Sequence, residues 1–328
     1  MHTEFDGEIV LVASKAPHRE GRYRSFLSGV DFAKTISNKV MLHYLKKIDK
    51  KVFYYDKIGD FVRNIHLHQN HLIFPYYYAV GSRINYAHVQ SICEGIGIKF
   101  VGPETYALTV CNDKVLSKDI CRLHGLNSPR CAVFYTENDK PALDILKPPL
   151  IVKPVFEGNS IGIAQDSVCV SYKQAEAKAR NLYSKILAPV MVEEFVNGTE
   201  VNICLILGEK GEYRIKTVAL NKQGHVYSYR QKHFRLPFRT YDAFKSTEVE
   251  GKRDSYLNIA RMLGKLEFIR IDCVINDESI YCIELTPDAD LSISSALYRS
   301  VASELSYEEF LRLLIMNATE SYRSQQTS

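Results

Sequence analysis

Two apolar runs toward the C-terminal end, "FIRIDCVI" (Phe268 to Ile275) and "SIYCIEL" (Ser279 to Leu285), each hold an acid among residues that belong in a core. An unpaired buried carboxylate is costly, so Asp272 and Glu284 must each meet a cation or a set of donors. The short "NDE" between the runs makes them neighbouring strands, and the two-residue strand period places Arg270 with Asp272 on one face. The chain is therefore constrained to bring a cation to that face. The residues alone leave two arrangements open: an Arg–Asp–Glu salt-bridge network, or a divalent ion between carboxylates that would otherwise repel. Oxygen ligands beside phosphate would suit magnesium. The second run ends in "TPDAD", which adds Asp288 and Asp290.

The opposite charge sits in a similar place upstream. "IVKPVFEGNSIGI" puts Lys153 in an apolar strand and brackets Asn159 and Ser160 between Gly158 and Gly162. A lysine in a buried strand must find an anion or lose its charge. A glycine-bracketed turn of small polar residues offers backbone N–H groups to phosphate oxygens, although taken alone the same turn reads as an ordinary hairpin. "MVEEFVNGTEVNI" adds Glu193 and Glu194 at a strand end, where peptide groups could meet a purine edge, and Glu200, which could accept from ribose hydroxyls. By itself that segment reads better as an exposed acidic turn.

Around these segments the pattern is α/β. The runs "EIVLVA", "KKVFYYD" and "HLIFPYYY" alternate with helical spacing at Ile36, Val40, Tyr44 and Ile48 and at Val89, Cys93 and Ile96, which predicts a parallel layer. A helix over "NDKVLSKDICRLHG" follows, with Asn112 as its cap and Gly125 as its stop. Strands "CAVFY", "PLIVKPV" and "APVMVEEFV", a helix capped by Ser171, and a hairpin of "EVNICLILG" with "YRIKTVAL" come next. A capping box of Ser306 and Glu309 opens the last helix. The expected units are 1–102, 103–192 and 193–328. At 328 residues and 46% hydrophobic content the chain can bury such cores, and a net charge of +4 from dispersed lysines gives no mandate for nucleic acid. No Cys-x-x-Cys pair and no Cys/His cluster with zinc spacing occurs among the eight cysteines, which read as reduced packing thiols. "MHTEFDGEIVLVA" is neither a signal peptide nor a membrane span, which predicts a cytoplasmic protein without membrane contact.

The order of these segments resembles the ATP-grasp superfamily and, within it, the D-alanine–D-alanine ligase branch. The family's "VKP…EGSSxG" stands here as "VKPVFEGNSIG", its "EE-hydrophobic-x-x-G-x-E" as "EEFVNGTE", its "RxD" as "RID", its "ExNTxPGMTxxS" as "ELTPDADLSISS", and its "DK" as Asp113-Lys114. The resemblance runs from about Gly95 to Asn317 and implies an ATP-grasp fold: an N-terminal parallel α/β layer, a central α+β lid and a C-terminal antiparallel-sheet α+β unit. It implies ATP and Mg2+ as cofactors. Lys114 and Lys153 would hold phosphates, and Glu157, Gly158, Asn159 and Ser160 would cover them. Glu193, Glu194 and Val196 would frame adenine, Glu200 would hold ribose, and Ile283 joins the nucleotide set. Lys232 would reach the γ-phosphate from a lid over 221–246, and Arg270 would stabilise an oxyanion; with Ser160 these stand nearest the chemistry. Asp272 and Glu284, with Thr286, would bind magnesium. Ser295 would grip the carboxylate of the attacking amino acid. The implied partners are small-molecule carboxylate and amino-acid substrates and a second copy in a homodimer.

The chain departs from the family at both substrate ends. Thr286 replaces an asparagine and Ala289-Asp290 replaces Pro-Gly, so Asp288 or Asp290 would ligate metal or bind a substrate amine. The family's N-terminal glutamate falls near Thr35 and its "HGxxGEDG" near "VGSRINYA". Cations at Lys15, Arg19, Arg22, Arg24 and Arg83 instead suggest a larger or more anionic first substrate. The expected function is an ATP-dependent carboxylate–amine ligase of specialised metabolism, joining an amino acid to another amino acid or small carboxylate. The alternatives are a divergent D-alanine–D-alanine ligase and a nucleotide-binding protein with weakened catalysis.

Overall fold

This computed structural model describes residues 8–13, 30–49, 51–77, 86–157, 163, 165–220, 241–277 and 279–326. The chain opens with β1 (Ile9–Ala13), α1 (Val30–Ile48), β2 (Val52–Tyr55), α2 (Ile58–Asn64), β3 (Leu72–Tyr76) and α3 (His88–Ile96). The strands form a parallel sheet in the order β2-β1-β3, as the alternation of apolar strands and helical spacing predicts. β1 is fully buried, and its period of two divides it between cores. Ile9, Leu11 and Ala13 join a core with Met41 and Leu45 of α1, while Val10 and Val12 pack with Phe61, Val89 and Cys93 on the other face.

Next come α4 (Thr105–Asn112) and α5 (Lys114–Leu123). The helix α4 is not anticipated by the sequence pattern, and it changes the cap of α5. Asn112 is the last residue of α4; the cap is Asp113, whose Oδ1 accepts from Val115 N at 2.9 Å and Leu116 N at 3.3 Å. An aspartate at that place also sets its negative charge at the positive helix end. Gly125 ends the segment at φ 79°, a left-handed conformation that glycine adopts without steric cost.

A second sheet follows, built from β4 (Cys131–Phe134), β5 (Leu150–Pro154), β6 (Val168–Cys169), then α6 (Tyr172–Ile186) and β7 (Val190–Glu194), in the antiparallel order β4-β7-β5-β6. Ser171 caps α6 as expected. Leu150, Val152, Val190 and Val192 pack on α6, which leaves Lys153, Met191 and Glu193 on the opposite face.

The third sheet contains β8 (Thr199–Leu207), β9 (Tyr213–Leu220) and β10 (Tyr241–Ala243), then, after α7 (Thr247–Glu250) and α8 (Arg253–Met262), β11 (Phe268–Ile275) and β12 (Ile280–Thr286). Its order is β10-β9-β8-β11-β12, antiparallel throughout. One face packs on α4, α5 and α8 through Ala107, Cys121, Ile259, Ile269, Ile271 and Leu285. α5 thus belongs in space to the third sheet although it lies within the unit expected at 103–192. The end of the other face formed by Cys204, Ile206 and Phe268 packs with β1, α1, α9 (Ala296–Arg299) and α10 (Tyr307–Gln326). The Ser306/Glu309 capping box forms at α10, with Ser306 N to Glu309 Oε2 at 2.7 Å. Among the described residues no helix is long and apolar enough to cross a membrane.

Loss of the α5 cap is the direct test of this local structure. Asp113→Ala removes both capping bonds and is expected to lower unfolding free energy by about 1 kcal/mol, read as a lower urea midpoint with an unchanged m-value.

Candidate active site

The acids that opened the sequence argument face each other across the third sheet. The register pairs Asp272 with Glu284 and with Asn202, and Arg270 with Thr286 and with Cys204. Between Asp272 and Cys273 the pairing shifts by one residue, because Cys273 opposes Cys282 while Asp272 opposes Glu284, leaving Ile283 as the extra residue. Strict alternation would put Glu284 on the core side with Cys282. The bulge instead turns Glu284 to the face of Asp272 and returns Leu285 to the core. Glu200, opposite Val274, lies on that same polar face.

Each acid has a partner supplied by the chain. Arg270 chelates Asp272, with Nε to Oδ1 at 2.6 Å and Nη2 to Oδ2 at 2.8 Å, and Asn202 Nδ2 donates to Oδ1 at 2.8 Å. Thr286 Oγ1 lies 3.5 Å from Asp272 Oδ2. Glu284 meets Lys114, whose Nζ is 3.3 Å from Oε1. The same ammonium donates to the carbonyls of Glu157 at 2.6 Å and Val155 at 3.3 Å, so Lys114 joins the end of β5 to β12.

The second sheet carries a buried ion network. Lys153 Nζ donates to Glu193 Oε1 at 2.8 Å, and Lys118 pairs with Oε2 of the same carboxylate. Exposure is 4% for Lys153, 1% for Lys118 and 2% for Glu193. Burial pushes the Glu193 carboxyl up, but the Lys118 and Lys153 ammoniums outweigh it and hold it below the usual range. Burial pulls the Lys118 ammonium down, and neighbouring Lys153 adds to this; Glu193 opposes both without cancelling them. Lys118 has no place in the sequence reading, although Lys114 and Lys118 stand one helical turn apart and share a buried face of α5 with Ser117 and Cys121. That spacing was the available signal. Asn202 was likewise missed, although it stands between the apolar Val201 and Ile203, two residues from Glu200 on the same face of β8.

The remaining expected residues distribute as follows. Glu194 ends β7, and its Oε1 accepts from Lys147 N at 2.9 Å. Val196 follows half-buried, and Glu157 is buried beside Lys114. Ser295 is buried and caps α9 through Oγ, which accepts from Tyr298 N at 3.2 Å. Asp290 accepts from Tyr76 and Ser292. Gly158, Asn159, Ser160, Lys232, Arg22 and Arg83 lie outside the described residues, as does the 221–240 part of the expected lid.

The family model described as "D-ala D-ala ligase C-terminus" matches residues 124–315. The chain belongs to this family. It is 30% identical to the D-alanine–D-alanine ligase of Aquifex aeolicus over 199 residues, covering 60% of this chain and 65% of that protein. It is 30% identical to the Cupriavidus metallidurans enzyme of the same name over 244 residues, 70% of this chain and 71% of that one. Among solved structures, D-alanine–D-alanine ligase from Bacillus anthracis complexed with ATP superposes with a TM-score of 0.75 at 16% identity, over 97% of this chain and 99% of that one. VanG D-Ala:D-Ser ligase from Enterococcus faecalis gives 0.69 at 17% identity, over 96% and 100%. The ATP-grasp α/β fold expected from the motifs is thereby borne out, and with it an ATP-dependent, ADP-forming carbon–nitrogen ligase that uses ATP and Mg2+.

The polar face suits such an ion. Magnesium is held through one or two carboxylates, with waters and substrate phosphates completing its shell. Asp272 and Glu284, paired in register across β11 and β12, are the two carboxylates that this face brings side by side. Both acids are already oriented by cations and an amide, which limits the reorganisation needed on binding.

Two tests follow from the ion network. Lys118→Met is expected to cost about 3–5 kcal/mol in urea unfolding, because it leaves Glu193 short of a partner, and Lys118→Met with Glu193→Leu should recover part of that loss. Because Glu193 is held below the ordinary glutamate value of 4.5, its stabilisation is present above that pH and lost as pH falls through the lower folded value. Glu193→Gln should therefore flatten the acid limb of a Tm–pH profile below about pH 4.5.

Proposed function

We propose that the chain joins a small carboxylate to an amino-acid amine through an acyl phosphate, at the expense of ATP. The observation that carries this reading is Lys114. Its ammonium ties the end of the phosphate-side strand β5 to Glu284 on the acid face of β12, placing cation and acid together. A substrate carboxylate oxygen attacks the γ-phosphorus and ADP leaves; the amine then forms the C–N bond to the acyl carbon, and phosphate leaves with the C–O bond electrons. Lys114 and Lys153 would balance charge on the phosphates, and Arg270 would face the oxyanion from its place beside Asp272. Asp272 and Glu284, with Thr286 nearby, would hold magnesium, which would supply charge neutralisation on the phosphoryl oxygens. Glu193 is held by lysines through its side chain, so its part in framing adenine with Glu194 and Val196 would fall to backbone groups; Ile283 and Glu200 would complete the nucleoside contacts. The lid with Lys232 and the loop through Ser160 would exclude water from the acyl phosphate.

For the substrates, the sequence departures at Ala289-Asp290 and in the N-terminal unit support a pair other than two D-alanines; Arg22 and Arg83 would supply cations for a more anionic first acid, and Ser295 would grip the acceptor carboxylate. The relatives' names favour a second reading, a divergent D-alanine–D-alanine ligase. All eight cysteines are free thiols, seven of them buried, which supports a reducing, cytoplasmic setting.

Phosphate release against a matrix of carboxylates and amines separates these readings. The expected outcome is release that needs both substrates, with D-alanine alone a poor pair; D-alanine as the preferred first substrate would select the second reading. Lys153→Ala should lower kcat/KM for ATP at least about 100-fold, the scale of losing a charged contact to the transferring group. An equally active Lys153→Ala protein would overturn the phosphate assignment.

A further inference from the structure

The residues "ADLS" that depart from the family pattern make contacts that the function above does not use. Tyr76 is the last residue of β3, paired with Ala13 at the C-terminal edge of the parallel sheet, where ligands of open α/β sheets gather. Its hydroxyl donates to Asp290 Oδ1. The same oxygen accepts from Ser292 N at 3.0 Å, and Oδ2 accepts from Ser292 Oγ at 2.7 Å. Ser292 in turn accepts from Ser295 N at 2.9 Å through its carbonyl, and Ser295 caps α9. An unbroken set of hydrogen bonds thus runs from the N-terminal sheet to the serine expected to hold the acceptor.

The backbone around Asp290 is seated on apolar contacts. Ala289 and Leu291, each 3% exposed, lie in the core shared with Ile9, Leu11 and Phe74, and Tyr307 Oη donates to the Leu291 carbonyl at 2.8 Å. Tyr76 packs against that core as well. Asp290, between two anchored residues, turns its carboxylate to donors on both sides. Asp290 thus accepts from three donors within the protein, two of them on Ser292 and one on Tyr76.

We propose that Tyr76 and Asp290 form a clasp that positions the acceptor loop against the N-terminal unit, and so set the fit of the attacking amino acid. They are positioning residues, acting through Ser292 and Ser295. The inference rests on the ligase reading and on Ser295 as the acceptor contact. Where relatives carry Pro-Gly, this chain links the first unit to the acceptor loop through a side chain, so a change in β3 is transmitted to acceptor binding. Pre-orienting a contact in this way lowers the cost of binding without adding a contact to the ligand.

The test uses the full chain with saturating ATP and the best carboxylate and amine from the substrate matrix. Tyr76→Phe and Asp290→Ala are each expected to raise KM for the amine about tenfold, as suits loss of a hydrogen bond to a charged group, while KM for ATP stays within about twofold. The double variant should be no worse than Asp290→Ala, since both changes break one link. Asp290→Asn keeps an oxygen acceptor for Tyr76 and Ser292 N and should stay within about threefold of the parent. An ATP-induced rise in Tm in every variant shows that it is folded. The clasp is overturned if amine KM is unmoved, if ATP KM rises in parallel, if the two changes multiply, or if Asp290→Asn is as weak as Asp290→Ala. If the parent releases no phosphate with any pair, it is the ligase reading that fails. Amide hydrogen exchange then decides the clasp: Tyr76→Phe speeds exchange of 288–295 about tenfold if the bond holds the loop, and unchanged exchange overturns it.

Discussion

One carboxylate between two ammoniums organises this molecule. Glu193 is almost fully buried, and Lys118 and Lys153 make its charge tolerable there. The three side chains come from α5, β5 and β7, so the pairing also fixes how the helix docks across the second sheet. Lys114, one turn earlier on α5, is thereby brought to the end of β5 and to Glu284. A fully apolar contact could hold the same elements with similar energy, but it would not leave two ammonium groups where α5, β5 and β7 meet. The network is best understood as a device of position.

The acid face depends on a different local feature. A regular β12 would direct Glu284 to the core beside Cys282. The extra residue Ile283 lets Cys282 and Leu285 remain buried while Glu284 turns to join Asp272, Arg270 and Asn202. Cys121 Sγ and Cys282 Sγ lie 3.1 Å apart, so α5 is seated on β12 immediately next to the bulge. Lys114 of α5 and Glu284 of β12 meet beside that contact. The divergence at "TPDAD" lies just beyond it, where Asp290 accepts from Tyr76 of β3.

Much of this was legible in residue order. Strand and helix periodicity carried the parallel layer, and the spacing of Lys153, Glu193, Arg270, Asp272 and Glu284 carried the family. These are local or linear properties, and a period of two or a motif survives without knowledge of packing. The cap of α5 was misassigned to Asn112 because α4 ends there, and a helix boundary is decided by which neighbour closes the preceding turn. Lys118 was overlooked because a helical lysine is usually solvated; only its approach to Glu193 of β7 makes it an ion-pair partner.

The sequence by itself determined that acids and a lysine would lie in apolar strands, and that each would need an opposite charge. It thereby determined the family and the class of reaction, since both reside in ordered motifs. Tertiary structure decided which charges meet. Glu193 pairs with lysines from two other elements, Glu284 with Lys114, Asp272 with Arg270 and Asn202, and Asp290 with Tyr76. The reason is physical: burial makes a partner obligatory, but identity depends on register, on one bulge and on helix docking, and those are set by contacts between residues far apart in the chain.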